Sequence, residues 1–570
     1  MSAQPLSSFK RFLNLLKVDR KDVFAIYYYA LFRGLVTLSL PLGIQAIINL
    51  ITGGQLSTSW IVLLIFVVAG VAISGVMQIY QLSISESIQQ KIFTRSAFEF
   101  AYRIPRLKVE QVWNNYLPEL TNRFFDTITI QKGITKMLMD FSSASLQVIF
   151  GLILLSIYHP YFLFFSIGML AILFILLKYT LPKGLKSSLK ESRYKYEVAH
   201  WLEEIARTME TFKLSGKSKL VLNKTDNVVE EYLGARNSHF QTLKFQYYIL
   251  VIIQTMVVLA LLLIGGLLVI NQKMNIGQFV ASEVIILLLM GSMEKVILSM
   301  ESIYDVLTGV EKVGAILDIP LDKNEEGMSF NDETIDVELK RVSYRFLDSN
   351  IAAIKNINLK INHGDKICLS GFPDSGKTVL AELVSGIYDN YEGTITYNKI
   401  PLQNWNKEDL FYATGDNLEG EAIFEGTIME NITLGREKVS VEMVKQLGNI
   451  LGFEHQISQL ESGYNTKLLP EGKNLSRCLK RKVILARAVV GDPKLILLED
   501  HFASLSREQI NAFMSFLIES DFSVILISND INIAKRMDRL WLVDKGEVAF
   551  DNNWSALQNE YLFKNIFDIH

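Results

Sequence analysis

Residues Gly371 to Thr378 read Gly-Phe-Pro-Asp-Ser-Gly-Lys-Thr, a spacing of two glycines, a lysine and a hydroxyl suited to holding phosphate. The backbone amides of such a loop, together with the N-terminus of the helix that follows, form a concave anion site. In that arrangement Gly371, Asp374, Ser375 and Gly376 cradle the phosphates, Lys377 reaches the β- and γ-phosphates, and the Thr378 hydroxyl ligates Mg²⁺. The chemistry requires a strand before the loop and a helix after it. Lys366-Ile367-Cys368-Leu369-Ser370 reads as the short buried strand, and Val379-Leu380-Ala381-Glu382-Leu383-Val384 as the apolar opening of the helix.

The elements around this centre divide the chain of 570 residues in two. Hydrophobic residues make up 49% of it, which is high for a purely soluble protein. A net charge of -3 argues against a nucleic-acid partner. Cys368 and Cys478 both fall in the second half, and no disulfide is expected between them. Met1 to Arg20 is a polar, basic lead-in without signal-peptide grammar.

Apolar runs over 23–51, 60–84, 137–158, 161–181, 247–270 and 279–306 are each long enough to cross a bilayer, which predicts six spanning helices. The connections at 53–59, His159-Pro160 and 271–277 are short and poor in charge, whereas 86–136 and 183–244 are long and rich in it. By the positive-inside rule the N-terminus and the long connections are cytoplasmic. Leu117 to Asp126 and Trp201 to Met209 alternate apolar and charged residues at helical spacing, so the helices are expected to run on past the membrane. Arg33, Gln45, Asn49, Asp140, Glu283 and Glu294 lie inside the apolar runs. Two readings stay open for Arg33 and Glu283: they line a substrate path, or they pair structurally near helix ends.

Pro320 to Thr334 is polar and turn-rich, a linker. Strands are expected from Ile335 to Val342 and from Ile357 to Ile361. Leu495 to Leu498 and Val524 to Ser528 are continuous apolar strands of a parallel sheet buried on both faces.

With these pieces in order, the chain resembles ATP-binding-cassette (ABC) exporter half-transporters, in which a permease is fused to an ATPase. The resemblance rests on the Gly371–Thr378 loop and on Phe424 to Ile432. It rests further on Leu475-Ser476 followed by Ile484-Leu485-Ala486-Arg487-Ala488, on Pro493 with the strand to Leu498, and on Asp538 to Gly546. It implies a membrane α-helical permease domain of six transmembrane helices followed by an α/β P-loop ATPase domain. The divisions are a lead-in at 1–20, a permease domain at 21–316, a linker at 317–334 and a nucleotide-binding domain at 335–570. It also implies ATP and Mg²⁺ as cofactors, export as the activity, a dimer with itself or another half-transporter, and contact with membrane lipid. The location is the inner membrane with the ATPase domain cytoplasmic. A periplasmic adaptor is a further partner the resemblance allows, and the short N-terminus implies no fused peptidase domain, which some peptide-exporting relatives carry. The two cytoplasmic turns would be coupling helices, and Tyr344 would stack on adenine.

Several motifs depart from the family pattern. The signature Leu-Ser-Gly-Gly-Gln reads Leu475-Ser476-Arg477-Cys478-Leu479, which leaves Ser476 to meet a partner's nucleotide and puts Arg477 where a glycine allows close approach. Arg477 is open to two readings, a charge donor to the γ-phosphate or part of a degenerated signature. The Asp-Glu pair is inverted as Glu499-Asp500: Glu499 would serve the metal, and Asp500, shorter by a methylene, would reach the attacking water poorly. The switch histidine is Asn529, the loop glutamine is replaced around Asp416 or Glu419, and the Ser-Ala-Leu-Asp segment reads Ala503-Ser504-Leu505-Ser506. His501 reads as a surface residue. Because each family site joins one subunit's loop to the other's signature, neither a homodimer nor a heterodimer restores a standard site. The leading expectation is an ATP-dependent export subunit, its rival a nucleotide-binding pseudo-ATPase that regulates a heteromeric transporter, and an importer on the exporter plan is a third reading.

Overall fold

The structure is a computed structural model that describes residues 8–52, 58–113, 116–322, 327–347, 349–418, 422–557 and 566–567. The expected lead-in before Ser8, the connection at 53–57, the linker at 323–326 and Glu419 lie outside the described residues. The chain forms two compact units, one of 1–106 with 114–320, the other of 107–113 with 321–570.

The first unit contains six helices long and apolar enough to cross a membrane: Arg20–Thr52, Thr58–Arg106, Leu117–Tyr158, Pro160–Arg207, Leu220–Ile270 and Ile276–Leu317. They extend well past the apolar runs, as the helical spacing of the charged connections implies. Outward-facing Phe66, Val68, Ile79, Phe164 and Ile252 suit lipid. The first span is interrupted at Leu38, between Arg20–Thr37 and Ser39–Thr52. Pro41 has no N–H to return to the carbonyl four residues back, so the ladder is broken there. The third contains a π-helical turn, Met137–Phe141, that carries Asp140. The tight third-to-fourth connection follows from its two residues: the His159 side chain accepts from the Tyr161 N–H, and Pro160 occupies the first helical position. The sixth helix opens on a capping box, Asn275 Oδ1 accepting from Gln278 N at 2.7 Å and Gln278 Oε1 from Asn275 N at 3.0 Å. Its inner face buries Ile285, Leu289, Met293, Ile297 and Tyr304.

The second unit is α/β. Its larger sheet runs in the order Glu547–Asn552, Arg539–Asp544, Lys366–Gly371, Ser523–Ile527, Leu495–Glu499, Thr414–Asp416. All its pairings are parallel except the one between Arg539–Asp544 and Glu547–Asn552. Alternate residues of these strands enter different cores. Ile367, Leu369, Leu497, Ile527 and Trp541 pack with Leu380, Leu383 and Val384 of the helix Lys377–Ser385. Cys368, Leu498, Leu526 and Leu542 pack with Val483 and Leu485 of Arg477–Val489 and Phe513 of Arg507–Glu519. A sheet covered on both faces needs apolar residues at every position of its central strands, which explains the uninterrupted apolar runs. A smaller antiparallel sheet runs Ile354–Ile361, Val337–Tyr344, Tyr391–Tyr397, Ile400–Pro401. Both cysteines are free.

The edge strand Thr414–Asp416 lies so close to the helix behind it that a Cβ on Gly415 would sit 1.7 Å from the Ala488 carbonyl oxygen. Gly415→Val should therefore cost roughly 3 kcal/mol, lowering the calorimetric transition of this unit by roughly 6–12 °C. An unchanged transition would show that the strand can move away.

Candidate functional site

The strand Lys366–Gly371 is interior to the larger sheet, with Ser523–Ile527 on one side and Arg539–Asp544 on the other. The loop thus leaves from the carboxyl edge of a parallel sheet, where strands deliver ligand-binding turns. Its geometry excludes ordinary side chains at two points. A Cβ on Gly371 would lie 2.3 Å from the Val543 carbonyl oxygen, and one on Gly376, at φ +100°, 2.8 Å from the Ala353 oxygen. Asp374 also takes a left-handed φ, +58°. Ser375 is buried, its carbonyl accepting from the Gly546 N–H at 2.9 Å. The helix Lys377–Ser385 begins immediately after, with half-buried Thr378 in its first turn.

Lys377 curls back over this cradle. Its Nζ donates to the carbonyls of Gly371 at 2.9 Å and Phe372 at 2.6 Å. Burial lowers its pKa from the usual lysine value, while Glu499 and Asp374 act in the opposite sense. An ammonium held by two carbonyls and, at 3.5 Å, by the Ser375 hydroxyl, at the start of a helix, is a donor that suits an anion, while the nearby carboxylates call for a cation between them and that anion. The residues fit a nucleotide phosphate in this respect. They fit Mg²⁺ only together with phosphate. Among the described residues no group of three or more His, Cys, Asp or Glu could hold a metal, so Thr378 and Glu499 would supply the protein oxygens, with phosphate and water beside them.

Glu499 ends the strand Leu495–Glu499, which lies beyond Ser523–Ile527 in the sheet, Asp500 follows it, and the two are fixed differently. The Asn417 side-chain amide brackets the Glu499 backbone, its Oδ1 accepting from Glu499 N at 2.7 Å and its Nδ2 donating to Glu499 O at 3.2 Å. The Glu499 carboxylate stays about one third exposed, 3.9 Å from His501 Nε2, so His501 stands beside the candidate metal ligand. Asp500 has both oxygens engaged: Oδ1 accepts from Phe502 N at 3.2 Å and Oδ2 from the Ser528 hydroxyl at 2.6 Å. Ser528 and Asn417 were not among the residues singled out by sequence. The sequence places Ser528 only at a strand end, and no motif marks Asn417.

Asn529 reaches the phosphate loop. Its Nδ2 donates to Gly371 O at 3.1 Å and its Oδ1 accepts from Gly371 N at 3.2 Å, a two-way bond that an amide can make and a single imidazole nitrogen cannot. Asn529→Ala would orphan the Gly371 N–H, at a cost of about 1–3 kcal/mol. A fall in melting temperature together with weaker nucleotide binding is the expected result, and an unchanged protein would show that Asn529 supports nothing.

Tyr344, expected to stack on adenine, is only 4% exposed. Tyr388 lies parallel to it at a centroid distance of 4.7 Å, and Phe346 meets it edge-on at 5.2 Å. That ring has little free face for a base, because the loop after the helix Lys377–Ser385 has already supplied its stacking partner. Phe346, two residues on, is half-buried. Asp416, one of the two candidates for the loop glutamine, ends its strand in an exposed position and accepts from Leu418 N at 3.3 Å.

Ser476 lies elsewhere in the unit. Its hydroxyl caps the helix Arg477–Val489 by accepting from Leu479 N at 3.2 Å, and both it and Arg477 are exposed. Cys478 donates to the Ser504 carbonyl at 3.1 Å. In the first unit, Arg33 donates to Gln78 Oε1 at 2.8 Å and Tyr158 to Gln45 Oε1 at 2.7 Å. Glu283 and Glu294 are exposed on the sixth helix without a partner among the described residues.

Comparison with known proteins agrees with this division. Residues 23–293 match the family model of the ABC transporter transmembrane region, and residues 354–503 match that of the ABC transporter. An uncharacterized ABC transporter ATP-binding protein, YfiB of Bacillus subtilis strain 168, is 24% identical over 463 residues, 80% of this chain and 79% of its own. The alpha-hemolysin translocation ATP-binding protein HlyB of Escherichia coli O157:H7 is 27% identical over 308 residues, 54% of this chain. The lactococcin-A transport/processing ATP-binding protein LcnC of Lactococcus lactis subsp. lactis is 23% identical over 432 residues, 75% of this chain. The chain spans 44% of the length of HlyB and 60% of LcnC. A solved bacterial Atm1-family ABC exporter with ATP bound superposes with a TM-score of 0.83, covering 96% of this chain and 98% of that one at 17% identity, a likeness of fold.

Proposed function

We propose, from the premise that this chain is an ABC transporter with its membrane and ATPase domains fused, that it is an export subunit whose ATP sites bind firmly and hydrolyse slowly. The observation that carries this reading is the contrast within one site. The phosphate loop keeps its strand, its glycines, its lysine and its helix, whereas the carboxylate that would orient water is short and has both oxygens held, by Phe502 N and Ser528 Oγ.

The chain works as a dimer, in which each phosphate loop is completed by the other subunit's Ser476 segment. Lys377 and the loop amides bind and orient the phosphates, and Thr378 and Glu499 would hold Mg²⁺. Bound Mg²⁺ neutralises phosphate charge. Each Asp500 oxygen already accepts one hydrogen bond, from Phe502 N and Ser528 Oγ, which fixes the direction of this short carboxylate while leaving it lone pairs for water, and Asn529, lacking an imidazole's charge, holds the loop through Gly371. ATP binding shifts the dimer toward a closed state to the extent that it binds that state better. Hydrolysis resets it. The ATPase unit and the N-terminus face the cytoplasm, consistent with the charge of the long connections. Export is supported by the transport and translocation named for HlyB and LcnC.

The test is ATP-driven efflux and ATP turnover by the purified chain in lipid vesicles, alone and with candidate half-transporters. Nucleotide binding with no turnover in any combination favours the regulatory pseudo-ATPase, for which the short, fixed Asp500 is the specific observation. Turnover abolished by Lys377→Ala excludes it.

A further inference from the structure

The sixth helix, Ile276–Leu317, has one exposed face, and that face is acidic. Glu283, Leu287, Glu294, Leu298, Glu301 and Asp305 are all exposed. Steps of three, four and seven residues place them in a single stripe along the helix. The stripe cannot rotate inward, because Ile285, Leu289, Met293 and Tyr304 fill the core on the other side.

Contacts with the third helix fix how deep the stripe lies. Ser292 Oγ donates to Gln147 Oε1 at 2.9 Å. A Cβ on Gly151 would sit 2.8 Å from Leu289 Cδ2, and one on Gly133 would sit 2.2 Å from Val306 Cγ2. The two helices therefore run antiparallel, and Glu294 stands level with Ser145, well inside the third helix's apolar run at 137–158. At 1.5 Å per residue the stripe rises about 33 Å from Glu283 to Asp305, close to the thickness of the hydrocarbon core. These four acids are thus strung through the depth of the membrane rather than gathered at one point.

Carboxylates at such depth do not face lipid; they face water or a partner charge. Partner charges are scarce. Lys295 is the only base in the run 279–306, and it lies about 100° round the helix from Glu294. Near Asp305, Arg236 is already 3.0 Å from Glu191, and Lys195 is 3.6 Å from Asp126. On the third helix Lys132 and Lys136 are exposed towards its cytoplasmic end, and Asp140, one turn on, adds a further acid. Among the described residues none of the four sixth-helix carboxylates forms an ion pair.

A second copy meeting this stripe with its own would set carboxylate against carboxylate, which repels. A cationic occupant removes that cost. The stripe also says what lies between the charges, since Leu287 is 62% exposed and Leu298 44%. Apolar positions between acids suit a chain that alternates basic and apolar side chains better than a fully hydrated polyamine. Extended backbone at about 3.3 Å per residue covers the stripe with roughly ten residues.

We propose that this face binds an extended cationic peptide, its lysines or arginines against Glu283, Glu294, Glu301 and Asp305 and its apolar side chains against Leu287 and Leu298. The proposal deepens the reading of the chain as an exporter by naming the class of its substrate, and it rests on that reading for the direction of movement alone.

The test is equilibrium binding of a fluorescent ten-residue peptide of alternating lysine and leucine to the nucleotide-free full chain in phosphatidylcholine nanodiscs, with empty discs as the blank. Glu283→Gln with Glu294→Gln should weaken binding by about tenfold, whereas Glu283→Asp with Glu294→Asp should weaken it by about threefold or less. Added salt should weaken binding to the unmodified chain more steeply than to the glutamine variant. A glutamate–leucine peptide of the same length should not compete. Equal affinity in the glutamine variant overturns the proposal, as does failure of the unmodified chain to bind the lysine peptide, which leaves the stripe to a basic face of a partner subunit. Displacement by spermine at the peptide's own concentration overturns the peptide class in favour of a polyamine. Mg-ATP added to the chain in inside-out vesicles then separates the two readings: a peptide that is bound but not carried counts against export and leaves the assignment of the stripe standing.

Discussion

Lys377→Ala is expected to weaken Mg-ATP binding by about 10- to 100-fold, because each charge-assisted hydrogen bond is worth about 1.5–3 kcal/mol and 1.4 kcal/mol is a factor of ten. The fold should survive. The ammonium is spent on the carbonyls of Gly371 and Phe372, which the loop's turn already holds, and the helix behind it is anchored by Leu380, Leu383 and Val384 in the core. Removing the side chain also relieves a cation that burial disfavours. The lost affinity is thus expected without a matching loss of stability, and equilibrium binding of a fluorescent ATP analogue beside a thermal melt separates the two. Binding within threefold of the unmodified chain would remove Lys377 from the phosphate site.

The second large effect runs the other way. Restoring the family order with Glu499→Asp and Asp500→Glu together should raise the ATP turnover number by about 10- to 100-fold, since misplacement by about 1 Å costs on the order of a hundredfold and a well-placed general base contributes 10² or more. The gain follows from reach and from freedom. A glutamate at 500 extends one methylene beyond the position where Phe502 N and Ser528 Oγ now hold the aspartate. Residue 499 keeps its place, because Asn417 grips its backbone rather than its side chain. The Michaelis constant should move by less than the turnover number, since the loop that binds phosphate is untouched. No gain in phosphate release would place the limitation elsewhere, with the Arg477-Cys478 signature as the next element to restore. Arg477→Ala then distinguishes its two readings: lower turnover assigns it to the γ-phosphate, and unchanged or higher turnover marks a degenerated signature.

Much of the fold was legible because its signals are local. Six apolar runs gave the six spans, and the Gly371–Thr378 spacing demanded the strand before it and the helix after it, both of which are present. The apolar runs understated the helices, since the 46 residues of Thr58–Arg103 continue through polar sequence that hydropathy does not register. What stayed hidden depends on register between distant strands. Ser528 meets Asp500 because Ser523–Ile527 and Leu495–Glu499 pair in parallel with Ile527 opposite Glu499. The enclosure of Tyr344 required Tyr388, which no local pattern links to it. The grouping of Leu107–Trp113 with the second unit rests on Asp389 and Asn390, about 280 residues away, and spacing along a chain carries no trace of such a pairing.

The most direct test of firm binding with slow hydrolysis is to measure both on one sample: the stoichiometry of bound Mg-ATP and the rate of phosphate release by the full chain in lipid. The account predicts one nucleotide bound per chain and a turnover far below ~10 s⁻¹, a typical enzyme value. Turnover at or above that value by the unaltered chain would contradict it, because the short, fixed Asp500 would then be no obstacle to catalysis.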